Sequence, residues 1–315
     1  MTGERRLRVG QLRWECEGVL SVMLVDPDGF ELPPWEPGAH IDLHLGGQVR
    51  QYSLCSDPAD RDHYQVAVLL AADSRGGSAY VHERLRPGEL VRVGGPRNNF
   101  PLDWSPRYLF LAGGIGITPI LPMVRAVAAA GRQWRLVYGG RRWASMAFLA
   151  ELETFGDPVE IVPEDRCGVP DLDALLGTPA PDTLVYSCGP EPMLAGAEAC
   201  CAGWPAGSLR LERFRPRPSD PATAAPERSF QVVCQRSGAA VQVPTGVRIV
   251  DALEEVGVWI PSACREGICG TCETRVIEGT PEHRDSLLSA ADRGAGKLMY
   301  PCVSRSRSPT LVLDV

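Results

Sequence analysis

Four cysteines near the end of this 315-residue chain carry its strongest chemical signal: Cys264, Cys269 and Cys272 in the spacing C-x4-C-x2-C, then Cys302 after 29 further residues. Three thiolates from one loop and a fourth from a distant segment is the ligand spacing of a plant-type 2Fe-2S cluster. The loop reads Cys-Arg-Glu-Gly-Ile-Cys-Gly-Thr-Cys. Gly267 and Gly270 let its backbone turn without a Cβ clash, so that N–H groups can point at the sulfides. A zinc site more often pairs two C-x2-C knuckles, and a disulfide framework suits short secreted chains, so both fit this spacing less well.

Four further motifs lie upstream. Arg50-Gln51-Tyr52-Ser53 resembles the R-x-Y-S motif of the ferredoxin-NADP reductase superfamily, which implies an arginine for a flavin phosphate, an aromatic to stack on the flavin ring and a hydroxyl near N5, where hydride arrives. In isolation, such a Tyr alternating with Arg on a strand is more often an ordinary barrel side chain. Arg75-Gly76-Gly77-Ser78 opens a short helix whose first N–H groups favour a phosphate, although a plain Ser N-cap would look the same. Ala112-Gly113-Gly114-Ile115-Gly116-Ile117-Thr118-Pro119 follows an apolar strand and opens a helix with a proline near its first turn, the form of a phosphate-approach loop. Tyr186-Ser187-Cys188-Gly189-Pro190 ends another apolar strand, which would aim Cys188 into the ligand crevice of an open α/β sheet. A lone cysteine there also reads as a small buried hydrophobe.

The elements that must position these motifs follow from periodicity. Residues 1–104 alternate with period two, with turns at Asp28-Gly29, Gly46-Gly47 and Pro87-Gly88, which predicts an all-β antiparallel barrel. Residues 105–215 alternate strand and helix: 108–112 then 119–130, 134–138 then 147–155, 159–162 then 172–176, and 183–187 then 191–201. That order predicts an α/β domain with a parallel sheet covered on both faces. Residues 216–228 are rich in Pro, Ser, Thr and Ala and read as an extended linker. Residues 229–315 open with a hairpin pattern around a Ser-Gly turn and continue with a helix whose Ile249, Leu253 and Val256 share a face. With the Cys-bearing loop, this resembles the α+β β-grasp fold of 2Fe-2S ferredoxins.

Composition bounds the function. A net charge of −7 argues against a nucleic-acid partner. The longest apolar stretch, residues 108–124, is interrupted by Gly113, Gly114, Gly116, Pro119 and Pro122, so no membrane span is expected. The first residues lack an apolar h-region, and eleven cysteines that include a cluster set point to a reducing cytoplasm. The five histidines form no H-x-x-H-type pair that could activate oxygen.

The order of the motifs, including Gly95-Pro96-Arg97-Asn98-Asn99-Phe100, His283-Arg284-Asp285-Ser286 and Tyr300-Pro301-Cys302, resembles the phthalate dioxygenase reductase family over essentially the whole chain. The resemblance implies FMN held by Arg50, Tyr52 and Ser53, with Gly76, Gly77 and Ser78 at its phosphate. It implies NADH facing Gly113, Gly114, Gly116 and Thr118, with Cys188 and Gly189 at the nicotinamide ring. Phe214 would lie against the flavin or pack in the core. Ser53 and Cys188 would act at hydride transfer, and the four cysteines would ligate the cluster. Arg141 and Arg142 could meet a 2′-phosphate or simply be solvated, and the family mostly uses NADH. The implied activity is an NADH-dependent reductase, expected as a monomer, that passes single electrons to a separate terminal oxygenase, either a Rieske non-haem iron enzyme or a haem-thiolate monooxygenase. The alternatives are a standalone flavin reductase and a non-enzymatic ferredoxin-type carrier.

Overall fold

A computed structural model describes residues 4–72, 74, 76–217 and 227–315, with the side chain of Ala290 also excepted. Arg75 and most of the expected linker lie outside the described residues. The chain forms two compact units, Met1–Glu212 and Arg213–Val315.

The first unit opens with β1 (Arg5–Cys16), β2 (Val19–Val25), β3 (Ala39–Leu45), β4 (Gln48–Ser53) and β5 (His63–Leu69), then α1 (Gly77–Glu83) and β6 (Leu90–Asn98). The strands form one antiparallel sheet in the order β4-β3-β6-β1-β2-β5. A bridge from Leu54 to Val66 joins its two edges, so the sheet closes as a barrel. Alternation puts Leu7, Val9, Val22, Leu24, Ile41, Leu43 and Val66 wholly inside. The two-residue turn between β3 and β4 places Gly46 and Gly47 at φ 56° and 83°, the mirror-image turn that matches strand twist and that only glycine adopts cheaply.

The chain continues through β7 (Arg107–Gly113), α2 (Ile117–Ala129), β8 (Gln133–Gly140), α3 (Leu149–Glu153), β9 (Val159–Pro163), α4 (Glu164–Cys167), α5 (Leu172–Leu176), β10 (Thr183–Cys188), α6 (Glu191–Cys200) and β11 (Leu209–Glu212). All five strands are parallel, in the order β11-β10-β7-β8-β9. From β7 the chain moves outward to β8 and β9, then returns to the other side of β7 as β10. The carboxyl ends of β7 and β10 therefore flank the topological switch point, where open α/β sheets bind ligands. Barrel and sheet share a core in which Cys16, Val19, Cys55 and Ala67 pack with Phe110, Ile117, Ile120, Val124 and Tyr138. The joint is further fixed by Tyr186, whose hydroxyl donates to Pro101 O at 3.0 Å and accepts from Asp103 N at 2.7 Å.

The second unit holds β12 (Phe230–Cys234), β13 (Ala240–Val243), α7 (Ile249–Glu255), β14 (Thr274–Glu278), β15 (Pro281–Glu282), α8 (Ala290–Ala295), β16 (Leu298–Met299), β17 (Arg305–Ser306) and β18 (Thr310–Leu313). The main sheet runs β13-β12-β18-β14-β16, with β12 parallel to β18. Ile249 and Leu253 are buried as expected, but Val256 is 43% exposed and lies past the end of α7. Gly257, at φ 79°, takes the left-handed position that stops the helix one residue after Val256.

Candidate functional site

In the barrel, β4 carries Arg50 and Tyr52 on one pleat face and Ser53 on the other, beside its cross-strand partner His40. Arg50 lies against the first turn of α1: a Cβ on Gly77 would come within 2.6 Å of Arg50 Cγ, and one on Gly76 within 2.8 Å of Gln48 Nε2. Gly76 also sits at φ 103°. The two glycines let β4 and α1 approach, which sets the Arg50 side chain against the first turn of α1. Arg50 donates to Val49 O at 2.8 Å and to Gln48 Oε1. Burial pushes the Tyr52 hydroxyl up to about 12, so the ring is a neutral stacking surface. Ser78 is engaged locally, accepting from Ala71 N at 3.2 Å and donating to Ser74 Oγ at 2.9 Å. Sequence reasoning passed over Ser74, which accepts from the amides of Gly76 and Ala79 at 3.2 and 3.3 Å and holds the turn.

At the switch point, the glycines of the β7 loop divide by role. A Cβ on Gly113 would meet Pro190 Cδ at 2.5 Å, one on Gly116 would meet Cys188 O at 2.1 Å, and one on Gly189 would meet Gly113 Cα at 2.9 Å. These three let the two strand-end turns press together. Gly114 alone has open space before its Cα, at φ 54°. Thr118 is buried and closes the turn by donating to Ile115 O at 3.0 Å. Of the expected nucleotide residues, Gly114 therefore faces open space, while Gly113, Gly116 and Thr118 shape the loop that presents it.

Cys188 is fully buried at the end of β10, paired with Ala112 on β7 and with Glu212 on β11. Its Sγ lies 4.0 Å from Glu212 Oε2. Burial, and then the Glu212 charge, pushes the thiol well above its ordinary value, so it is a neutral donor rather than a thiolate. Burial also pushes the Glu212 carboxyl up to about 8. Glu212 was missed in the sequence because β11, only four half-buried residues, gave little periodic signal. Phe214 belongs to the second unit and is 38% exposed, so it is not a core residue. Arg142 pairs with Glu17 at 2.6 Å. A recess of about 430 Å³, lined by residues such as Trp14, Arg125 and Phe148, contains none of the predicted site residues.

In the second unit, Cys269, Cys272 and Cys302 are buried and Cys264 is half-buried. The Cys264 thiol interacts with those of Cys269 and Cys302, and the Cys272 thiol with that of Cys302. Glu266 N points at Cys264 Sγ from 3.3 Å, and Thr271 Oγ1 lies 3.2 Å from Cys269 Sγ. The Cys302 thiol is pushed up to about 12: a hydrogen bond with Cys264 lowers it, but one with Cys272, together with burial, outweighs that. The protons that Cys269 and Cys302 retain are what a bound metal must displace, and metal binding supplies that free energy. Among the described residues no group of three or more His, Cys, Asp or Glu is placed to hold a single metal ion. A binuclear cluster, with its thiolates shared between two irons, asks instead for such neighbouring pairs, and the residues present fit it.

Residues 232–307 match the 2Fe-2S iron-sulfur cluster binding domain and residues 110–161 the oxidoreductase NAD-binding domain. The chain is 42% identical to the phenoxybenzoate dioxygenase subunit beta of Ectopseudomonas oleovorans, over 98% of this chain and 97% of that one. It is 37% identical to the phthalate 4,5-dioxygenase oxygenase reductase subunit of Pseudomonas putida, over 95% and 93%. Among solved structures, phthalate dioxygenase reductase matches with a TM-score of 0.73 and 33% identity over 99% of this chain and 98% of that one. The chain belongs to the phthalate dioxygenase reductase family. Its family cofactors are FMN, NADH and a 2Fe-2S cluster. An intact type IV self-sufficient cytochrome P450 monooxygenase contains the same architecture, with a TM-score of 0.93 and 42% identity over 99% of this chain. The chain spans about two-fifths of that protein, 41% of its length. Among the described residues no helix is long and apolar enough to cross a membrane.

Proposed function

We propose that this chain is the reductase component of an oxygenase system, taking hydride from NADH and delivering single electrons to a separate terminal oxygenase, Rieske or haem-thiolate. The observation that carries this reading is the conjunction of a switch-point crevice bearing a neutral Cys188 thiol, a phosphate cradle at Arg50, Gly76 and Gly77, and a four-thiol loop. A flavin exchanges electrons singly or in pairs, which links a two-electron hydride donor to a one-electron cluster. The protein's own part is positional. Gly113, Gly116 and Gly189 lock two turns together, so that Cys188 borders the place for the nicotinamide and Gly114 leaves room for the nucleotide backbone.

The four-thiol loop counts against a standalone flavin reductase, and the cradle and crevice count against a bare electron carrier. The Arg142–Glu17 pair favours NADH over NADPH, because the guanidinium already has an anion. We further read residues 1–104 and 105–215 as flavin and nicotinamide domains, with a cytoplasmic, monomeric protein; eleven free cysteines support the reducing compartment. The test is cofactor analysis of anaerobically purified protein alongside its NADH-dependent reduction of cytochrome c. One FMN and one 2Fe-2S cluster per chain, with rapid turnover, are expected. FAD as the tightly held flavin, or an iron content near zero, would overturn the reading.

A further inference from the structure

The His283-Arg284-Asp285-Ser286 motif is left unused by the chemistry above, yet it lies against the cluster loop. Ser286 N donates to Gly267 O at 3.0 Å. Gly267, midway between Cys264 and Cys269, is at φ 69°, and a Cβ there would come within 3.0 Å of Asp285 Cα and 2.7 Å of Val303 Cγ2. The Asp285 segment and the ligand loop are therefore in van der Waals contact through the one residue that lets them meet.

The Asp285 side chain is fully buried. Its Oδ2 accepts from Leu287 N at 3.0 Å and Leu288 N at 2.9 Å, and lies 3.5 Å from Arg293 Nη2. Arg293 also donates to the carbonyl oxygens of Asp285 and Leu288. Oδ1 has no hydrogen-bond partner among the described residues, and neither ring nitrogen of His283 has one. His283 Nδ1 stands 3.9 Å from Oδ1. A carboxylate buried with one oxygen unserved is expensive to keep, and a neutral side chain could cap the same two amides. What a neutral side chain could not supply is the charge.

We propose that Asp285 positions the cluster loop and, with Arg293 as its counter-charge, sets the reduction potential of the cluster; the proposal rests on the 2Fe-2S reading of the four thiols. Reduction would add an electron to a cluster held by this loop. A buried anion beside it opposes that addition and a neighbouring cation favours it, since charges in a poorly screened interior act at longer range than in water.

The test is the midpoint potential of the cluster in the purified full-length protein, by spectroelectrochemistry with the EPR signal of the reduced state, in Asp285→Asn, Arg293→Gln and the double variant. Asn keeps an oxygen for the two amides and removes the charge. The expected result is a higher potential in Asp285→Asn, a lower one in Arg293→Gln, and a near-parental value in the double variant. An unchanged or lowered potential in Asp285→Asn, or shifts of the same sign in both single variants, overturns the proposal and leaves a structural staple. Should Asp285→Asn fail to assemble the cluster, the Arg293 variants decide: a lowered potential with Gln and a parental one with Lys support the proposal, and equal potentials overturn it. Absence of any 2Fe-2S signal in the parent protein would instead refute the cluster reading itself.

Discussion

At the scale of single residues, the glycines of the β7 loop are separable by what stands in front of them. Gly116→Ala drives a methyl into Cys188 O, at 2.1 Å, and neither backbone can yield without moving the other. It should cost about 3 kcal/mol of stability and displace Cys188 as well, measurable as a lowered denaturant midpoint. Gly114→Ala meets nothing, so it should cost only the roughly 1–2 kcal/mol of a left-handed alanine while raising KM for NADH, because it stands where the nucleotide has room. Equal loss of stability in the two variants would contradict this division. Cys188→Ala should slow reduction of the flavin by NADH in stopped-flow experiments while both cofactors stay bound; a parental rate would make Cys188 a packing residue. Glu212 adds a pH dependence. Its carboxyl is raised to about 8 in the fold, so the folded protein keeps a proton that the unfolded chain releases at ordinary carboxylate pH. Its contribution is therefore intact at acid pH and is lost as pH rises from the ordinary carboxylate range through about 8. Glu212→Gln should flatten that decline in thermal midpoint, and an unaltered pH profile would show that the carboxyl is not held protonated.

At the scale of elements, the legible parts of the sequence were those with a long period or a strict geometric need. The four strand–helix pairs after residue 105 appear as expected because the inner strands β7 and β10 end in buried runs, the near-continuous apolar signal of a parallel sheet. β11 was not legible, since four half-buried residues at a sheet edge give too short a pattern, and Glu212 went unseen with it. The end of α7 was misplaced because helical periodicity carries on through Val256, whereas Gly257 fixes the stop. The α1 turn shows the same limit. Ser78 carried the sequence signal, yet Ser74 makes the amide contacts. Ser74→Ala should loosen the turn by about 1 kcal/mol, the usual cost of a lost cap, and so weaken FMN retention about fivefold. Fluorescence of released flavin on dilution measures this, and unchanged retention would show that the turn does not form the phosphate cradle.

At the scale of the whole molecule, the sequence was read correctly where order combined weak motifs into one architecture: barrel, parallel sheet and Cys-bearing β-grasp fold. It could not reveal that Gly113, Gly116 and Gly189 serve protein contacts, because a glycine beside a nucleotide and a glycine beside another backbone look alike in one dimension. With hydride acceptance proposed for the first unit and single-electron delivery for the second, breaking the second should leave the first at work. The most direct measurement uses the full chain with Cys302→Ala, which removes the one distant thiol of the four. NADH should still reduce the flavin, and electrons should still reach ferricyanide at close to the parental rate, while cytochrome c reduction collapses. Full cytochrome c reductase activity in this variant, or loss of flavin reduction by NADH, would contradict the order of carriers.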